Sequence, residues 1–139
     1  LIGQHGVVVV SVAEIRDEDM WILEELLPGP VSILVRKKSI VPDILTAGSP
    51  LVSIRYPDHE SALRIIDIAG PITSTSANRT GQPAPVSAKE VSRDIEERVD
   101  LVVDGGRCRY CQASTLLDLE KREIIRPGAG LEIALKAIK

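Results

Sequence analysis

Phenylalanine is absent from this chain of 139 residues, and Trp21, Tyr56 and Tyr110 are its only aromatic rings. Proteins that read single-stranded nucleic acid stack bases on aromatic side chains, so this scarcity argues against that class. An excess of positive charge is missing too, because 17 lysines and arginines face 20 aspartates and glutamates, for a formal net charge of -3. Phosphate-backbone binding rests on clustered Lys and Arg, and a chain with a pI near 5.4 supplies no dedicated surface of that kind. No apolar run approaches the roughly 20 residues of a spanning helix. A water-soluble protein with no membrane partner and a cytoplasmic location is expected. Cysteine is limited to Cys108 and Cys111, and the only histidines, His5 and His59, lie far from them. A structural zinc site takes about four ligands, so free thiols are expected, with a local disulfide or redox pair as the alternative. Leu1 stands where a methionine would, and Leu1 to Gly6 carries neither a basic segment nor the cleavage pattern of a secretory leader.

The residues present are those of a globular domain, 44% hydrophobic and 27% charged. At this length one core is expected, and no repeat or linker divides the chain. Val7 to Val12 is a β-branched run that predicts a strand buried on both faces. Ile15 to Leu27 predicts a helix with an acidic first turn and a core stripe of Trp21, Leu23, Leu26 and Leu27, stopped by Pro28-Gly29-Pro30. Val31 to Lys37 alternates as a strand; a turn with one short helical piece follows over Ile40 to Gly48. Leu51 to Tyr56 is a third strand, and the Tyr56-Pro57-Asp58 junction caps a helix that runs to about Ala69 and ends at Gly70.

Ser87-Ala88-Lys89-Glu90 has the form of a capping box opening a helix to about Glu97, with Val91 and Ile95 toward the core. Leu101 to Val103, Ser114 to Leu119 and Glu123 to Arg126 are short strand segments. Leu131 to Ile138 closes the chain as an amphipathic helix, with Leu131, Ala134, Leu135 and Ile138 inward. Strands and helices interleave, except that Leu101 to Arg126 joins strands without a helix. An α/β fold with an open, twisted, mixed sheet and packed helices satisfies both patterns.

The chain is organised around Ser74-Thr75-Ser76-Ala77-Asn78, which reads as a strand delivering hydroxyls and an amide to a Gly- and Pro-rich loop. Such groups hydrogen-bond phosphate or carboxylate oxygens without adding charge; they are equally ordinary turn residues. Arg55, in a strand beside Ile54 and Tyr56, needs an anionic partner, either a structural acid or a ligand carboxylate. Ser114-Thr115 offers hydroxyls to a ligand or satisfies a strand edge. Together Arg55, Ser74, Ser76, Asn78, Ser114 and Arg126 suit a carboxylate and a phosphate chain in one pocket, acting by positioning and charge stabilisation. No nucleophile, base and acid constellation, P-loop or dinucleotide fingerprint is present.

Several motifs occur in order: Pro28-Gly29-Pro30, Val41-Pro42-Asp43 with Leu45-Thr46-Ala47-Gly48, Ile54-Arg55-Tyr56-Pro57-Asp58-His59, Ser76-Ala77-Asn78, Val103-Asp104-Gly105-Gly106, Ser114-Thr115 and Arg126-Pro127-Gly128. This series resembles the YrdC/Sua5 family of threonylcarbamoyl-AMP synthases over nearly the whole chain. The resemblance implies one YrdC-like domain over residues 1–139. It further implies a reaction of L-threonine, bicarbonate or CO2 and ATP that gives threonylcarbamoyl-AMP and pyrophosphate, with ATP as substrate and Mg²⁺ on its phosphates. The product would pass to a separate t6A transferase acting on adenosine 37 of certain tRNAs. By similarity Arg55, Ser74 and Ser114 would hold threonine, while Ser76, Asn78, the Ala84 backbone and Arg126 would meet ATP.

Family members carry an N-terminal section with a Lys-x-Arg motif, in whose place Leu1 to Gly6 stands, so an N-terminally incomplete domain is expected. Arg107 to Ala113 lacks the glycine usual before the Ser-Thr pair, and Ala84 replaces a frequent Ser. A non-catalytic relative that binds nucleotide or RNA, or regulates, and a carbamoyl-transfer module of a larger protein are the other functions such a motif set fits.

Overall fold

β2 (Val31–Lys37) is the strand to which the others attach. The computed structural model describes residues 9–91 and 93–139. In it, β3 (Leu51–Ile54) pairs antiparallel with one edge of β2, Ile33 opposite Ile54. The other edge is shared. Along its first half runs β4 (Thr115–Asp118), parallel, with Val31 beside Thr115. Near its end β1 (Ala13–Glu14) pairs antiparallel, Ala13 opposite Lys37. β5 (Glu123–Arg126) returns antiparallel on β4 and completes a five-stranded, open, mixed sheet.

Alternation along β2 sends Val31, Ile33 and Val35 to one face, where they are buried with Leu117 of β4. Two helices supply the rest of this core. α1 (Met20–Leu26), which follows a 3-10 turn at Asp17–Asp19, contributes Ile22, Leu23 and Leu26; α4 (Leu131–Ala137) contributes Ala134 and Ala137. α2 (Glu60–Ala69) adds Leu63 and Ile66 at the margin and ends at Gly70, as its sequence predicts.

A charged clamp fixes α1 to the far end of the sheet. Asp19 is 1% exposed, and its two oxygens take Arg16 Nε at 2.6 Å and Arg122 Nη2 at 3.0 Å. The carboxylate hydrogen bond in turn raises the pKa of the Arg16 guanidinium above its ordinary value. The largely covered Lys37 pairs with the exposed Asp43 at 2.8 Å and ties the end of β2 to the 3-10 turn Asp43–Thr46, the short helical piece expected between Ile40 and Gly48; Lys37 holds the Asp43 carboxyl below its usual range.

Several sequence expectations are corrected. Residues 9–12 are helical, not extended, and Val7 and Val8 lie outside the described residues. β4 occupies the β2 edge from Val31 to Leu34, so only Arg36 and Lys37 remain to pair with Ala13 and Glu14. Trp21 is 50% exposed, because α1 turns it outward beside Glu24 and Glu25 while Ile22 faces in. Leu135 is likewise exposed, and the inward positions are the small Ala134 and Ala137, which allow a close approach of α4 to its neighbours. The cap of α2 is His59 rather than Asp58, without a side-chain hydrogen bond.

Thr73–Ala113 forms a second compact unit, distinct from the one that holds the sheet. Leu101 to Val103 is not a strand: it has no ladder partner among the described residues, and its side chains are exposed. Thr73 to Ala77 is not a strand either, and all five residues are exposed; the run has no apolar face to bury against a sheet. The helix expected from Ser87 to Glu97 is two pieces, a 3-10 turn at Ala88–Glu90 and α3 (Arg93–Glu96), with Val91 and Ile95 half-buried. The capping box does not form: Ser87 makes no cap bond, and Glu90 Oε2 accepts the N–H of Val86, at 3.0 Å, instead of that of Ser87.

Asp19→Ala removes the acceptor of two guanidiniums that remain partly solvated, and about 1–3 kcal/mol of stability is expected to go with it in urea unfolding. Tyr56 is buried, and that burial, with the Asp67 charge, raises its phenol pKa above the ordinary 10.0. An acid whose folded pKa is raised contributes stability that is complete below the unfolded value and lost as pH rises through the folded one. Tyr56→Phe is therefore expected to shift alkaline unfolding, followed by circular dichroism, to higher pH.

Candidate functional site

One end of the sheet gathers four polar chain segments. β2 and β4 begin there and β3 and β5 finish there, so Gly29-Pro30, Ser114 and Arg55 lie just outside the ladder, beside Arg126, the last residue of β5. Register places their side chains. Ser32 lies on the face opposite Ile33; Arg55, one residue past Ile54, shares that face, as do Ser114, two residues before Leu116, and Arg126, paired with Leu116. The apolar core takes one side of the sheet and leaves this polar set on the other.

Ser114 is the hub. Its carbonyl accepts Arg126 Nε at 3.3 Å and Nη2 at 3.0 Å, and its hydroxyl lies 3.4 Å from the same Nη2. Its Oγ is also 2.7 Å from Ser32 Oγ, across 82 residues of sequence. Thr115, fully buried, joins the two final motifs: its N–H donates to the Ala129 carbonyl at 3.0 Å and its Oγ1 accepts the Gly128 N–H at 3.0 Å. The Arg126-Pro127-Gly128 segment is thereby fastened to Ser114-Thr115.

Two glycines permit this packing. Gly29 donates to the Tyr56 carbonyl at 2.9 Å, and a Cβ on it would lie 2.5 Å from the Leu26 carbonyl oxygen. Gly130 has φ +79°, and a Cβ there would meet Pro30 at 2.8 Å and Val31 at 2.9 Å.

Arg55 is exposed, not held inside, and its Nε donates to the Gly29 carbonyl at 3.3 Å. Among the described residues neither Arg55 nor Arg126 has an ion-pair partner, whereas Arg16, Arg36, Arg64 and Arg122 all do. Of the two partners that the sequence leaves open for Arg55, the structural acid is thus absent from the described residues. Two guanidiniums at one sheet end, flanking buried hydroxyls, form a surface matched to anionic oxygens.

Ser74, Ser76, Asn78 and Ala84 belong to the second unit. Ser74, Ser76 and Ala84 are exposed loop residues. Asn78 holds a turn: its Nδ2 donates to the carbonyls of Arg79 at 3.1 Å and Gln82 at 2.8 Å. Its Oδ1 is buried without a partner among the described residues. Since the amide donors are consumed inside the loop, Asn78 holds the turn here and is not the donor to phosphate that its residue type alone allows. Cys108 and Cys111 are exposed free thiols in the same unit, with Cys111 Sγ donating to the Cys108 carbonyl at 2.9 Å. No group of three or more His, Cys, Asp and Glu among the described residues could hold a metal ion.

The structure adds Ser32 to the residues that the sequence picks out. Its signal is visible only in hindsight, as the single hydroxyl among Val31, Ile33, Leu34 and Val35 directly after Pro28-Gly29-Pro30.

Comparison with known proteins gives this end of the sheet its context. A family model for Sua5, YciO and YrdC, described as telomere recombination, matches residues 7–128, and the chain belongs to that family. The threonylcarbamoyl-AMP synthase of Pyrococcus abyssi is 35% identical over 122 residues, which are 86% of this chain and 36% of that protein. A putative threonylcarbamoyl-AMP synthase of Methanocaldococcus jannaschii is 36% identical over 119 residues, 86% of this chain and 56% of the relative. The chain thus spans roughly a third to just over half the length of these two relatives.

Among solved structures, P. abyssi Sua5 in complex with L-threonine superposes with a TM-score of 0.77 at 36% identity, covering 84% of this chain and 36% of that one. A solution structure from Methanobacterium thermoautotrophicum gives 0.64 at 36% identity, over 81% and 53%. Both share the α/β architecture with an open sheet that the sequence predicts.

Gly130→Ala is expected to cost about 1–3 kcal/mol, by combining a left-handed backbone with overpacking against Pro30 and Val31. Thermal unfolding measures it, and an unchanged midpoint would contradict the close approach.

Proposed function

We propose that the chain is the YrdC-like domain of a threonylcarbamoyl-AMP synthase, expected to act in the cytoplasm. The observation that carries this reading is the pair of arginines without acidic partners among the described residues, Arg55 and Arg126, beside the buried Ser114 hydroxyl at one sheet end, in a chain about 35% identical to proteins bearing that name. In this reading Arg55 binds the threonine carboxylate, and Ser74 and Ser114 line the threonine pocket. Ser76, Asn78 and the Ala84 backbone meet ATP, with Arg126 on the nucleotide side.

The chemistry asks for positioning more than for covalent catalysis. The threonine amine forms an N–C bond to CO2 and releases a proton to solvent, or attacks the carbon of bicarbonate, whose C–OH bond breaks so that the hydroxyl leaves with the amine proton as water. One oxygen of the resulting carbamate then attacks the ATP α-phosphate, and the bond to pyrophosphate breaks. Guanidiniums that hold the anionic reactants in place lower the entropic and electrostatic cost of bringing them together. The described residues offer no metal cluster. Mg²⁺ therefore enters this proposal only as the counter-ion of the ATP phosphates, and no protein ligand is assigned to it. The adenylate would be handed to a t6A transferase for tRNA modification, so tRNA and that enzyme are the proposed downstream partners.

The test is release of pyrophosphate from ATP that requires both L-threonine and bicarbonate. Arg55→Ala is expected to raise the threonine KM about 30-fold or more, since it removes a charge-assisted partner of the substrate carboxylate. Pyrophosphate release indifferent to threonine, or an Arg55→Ala variant with unchanged KM, would contradict the assignment.

A further inference from the structure

Among the described residues the Ser32 side chain makes one hydrogen bond, to Ser114 Oγ at 2.7 Å, and each of the two serines is 8% exposed. Either oxygen could donate in that contact, and the surroundings decide which does. A hydroxyl has one proton and two acceptor sites. Arg126 Nη2, which can only donate, lies 3.4 Å from Ser114 Oγ. If Ser114 gave its proton to Ser32, the Ser32 hydroxyl proton would need an acceptor of its own, and no other side-chain bond to Ser32 exists among the described residues. A buried donor left unsatisfied is disfavoured. Either orientation leaves one hydroxyl proton over; with Ser32 and Arg126 both donating to Ser114 Oγ it is the Ser114 proton, which an acceptor oxygen of a ligand held by Ser114 would take.

We infer that Ser32 is a positioning residue that turns Ser114 into a committed hydrogen-bond donor toward an acceptor oxygen of the bound substrate. The inference rests on the proposed role of Ser114 in holding threonine. The acceptor is a carboxylate or carbamate oxygen, the anionic groups that a donor hydroxyl beside two guanidiniums matches. Ser32 does not touch the substrate; it acts by using one of the two acceptor sites of Ser114. Without it, the Ser114 hydroxyl can rotate and become an acceptor, which an anionic oxygen repels.

The test is calorimetric titration of L-threonine into the folded wild-type chain and into Ser32→Ala, Ser32→Thr, Ser114→Ala and the Ser32→Ala, Ser114→Ala double variant. Ser32→Ala is expected to weaken threonine binding about three- to tenfold, the range of one net hydrogen bond. Ser32→Thr, which keeps the hydroxyl, restores it. In the Ser114→Ala background, Ser32→Ala has no further effect, because its route of action is gone. Ser32→Ala binding as tight as wild type, or effects of the two alanines that simply add, would overturn the positioning role while leaving the functional reading intact. A folded wild-type chain that binds no L-threonine would sink that reading and the inference with it. A drop for Ser32→Ala that Ser32→Thr fails to rescue would mark a packing effect and overturn the inference alone.

Discussion

The parallel pairing of β2 with β4 is the constraint on which the rest of the molecule depends. Parallel neighbours cannot be joined by a tight turn, and here the chain between them includes β3, α2 and the whole second unit. That pairing sets Ser32 beside Ser114 and puts the starts of two strands at one end of the sheet. Once it is made, β3 and β5, each antiparallel to its neighbour, must finish at the same end. Arg55 and Arg126 arrive there as a consequence of strand direction. The general rule places ligands at the carboxyl ends of parallel strands. In this mixed sheet the polar end is instead the amino end of the parallel pair and the carboxyl end of the antiparallel strands.

The two ends of the sheet treat charge in opposite ways. At the far end, arginines are matched: Asp19 serves both Arg16 and Arg122, and Arg36 pairs with Glu120 at 3.3 Å. A buried carboxylate is tolerated only with such partners, and the matching makes that end a structural joint. At the near end the guanidiniums of Arg55 and Arg126 bond backbone carbonyls, which orient them without neutralising them. The same residue type is thus matched with acids at one end and held by backbone carbonyls at the other.

Membership of the Sua5/YciO/YrdC family agrees with this division, and the relative solved with L-threonine shares the fold at a TM-score of 0.77. The match covers 84% of this chain and 36% of that relative. The second unit contributes exposed hydroxyls and one unpaired amide oxygen, chemistry of a kind different from the two arginines.

Much of the fold was legible because periodicity reports burial directly. β2, β3, β5 and α2 follow from alternation or helical spacing, and the ordered motifs marked the residues of both units that carry polar chemistry. The misreadings have physical causes. The β-branched runs at residues 9–12 and Leu101 to Val103 have strand propensity, but a strand exists only where another strand has an edge to offer, and none of those residues has one among the described residues. Trp21 was assigned to the core by hydrophobicity, whereas the phase of α1 turned it out. By itself the sequence determined the fold class, the family and the identity of the polar groups, all of which are local or compositional. Only the tertiary structure decided which arginines keep a free charge, that Ser32 stands against Ser114, and that the Asn78 amide has already used its donors. Those properties depend on partners contributed by other segments of the chain, and no spacing in the sequence records them.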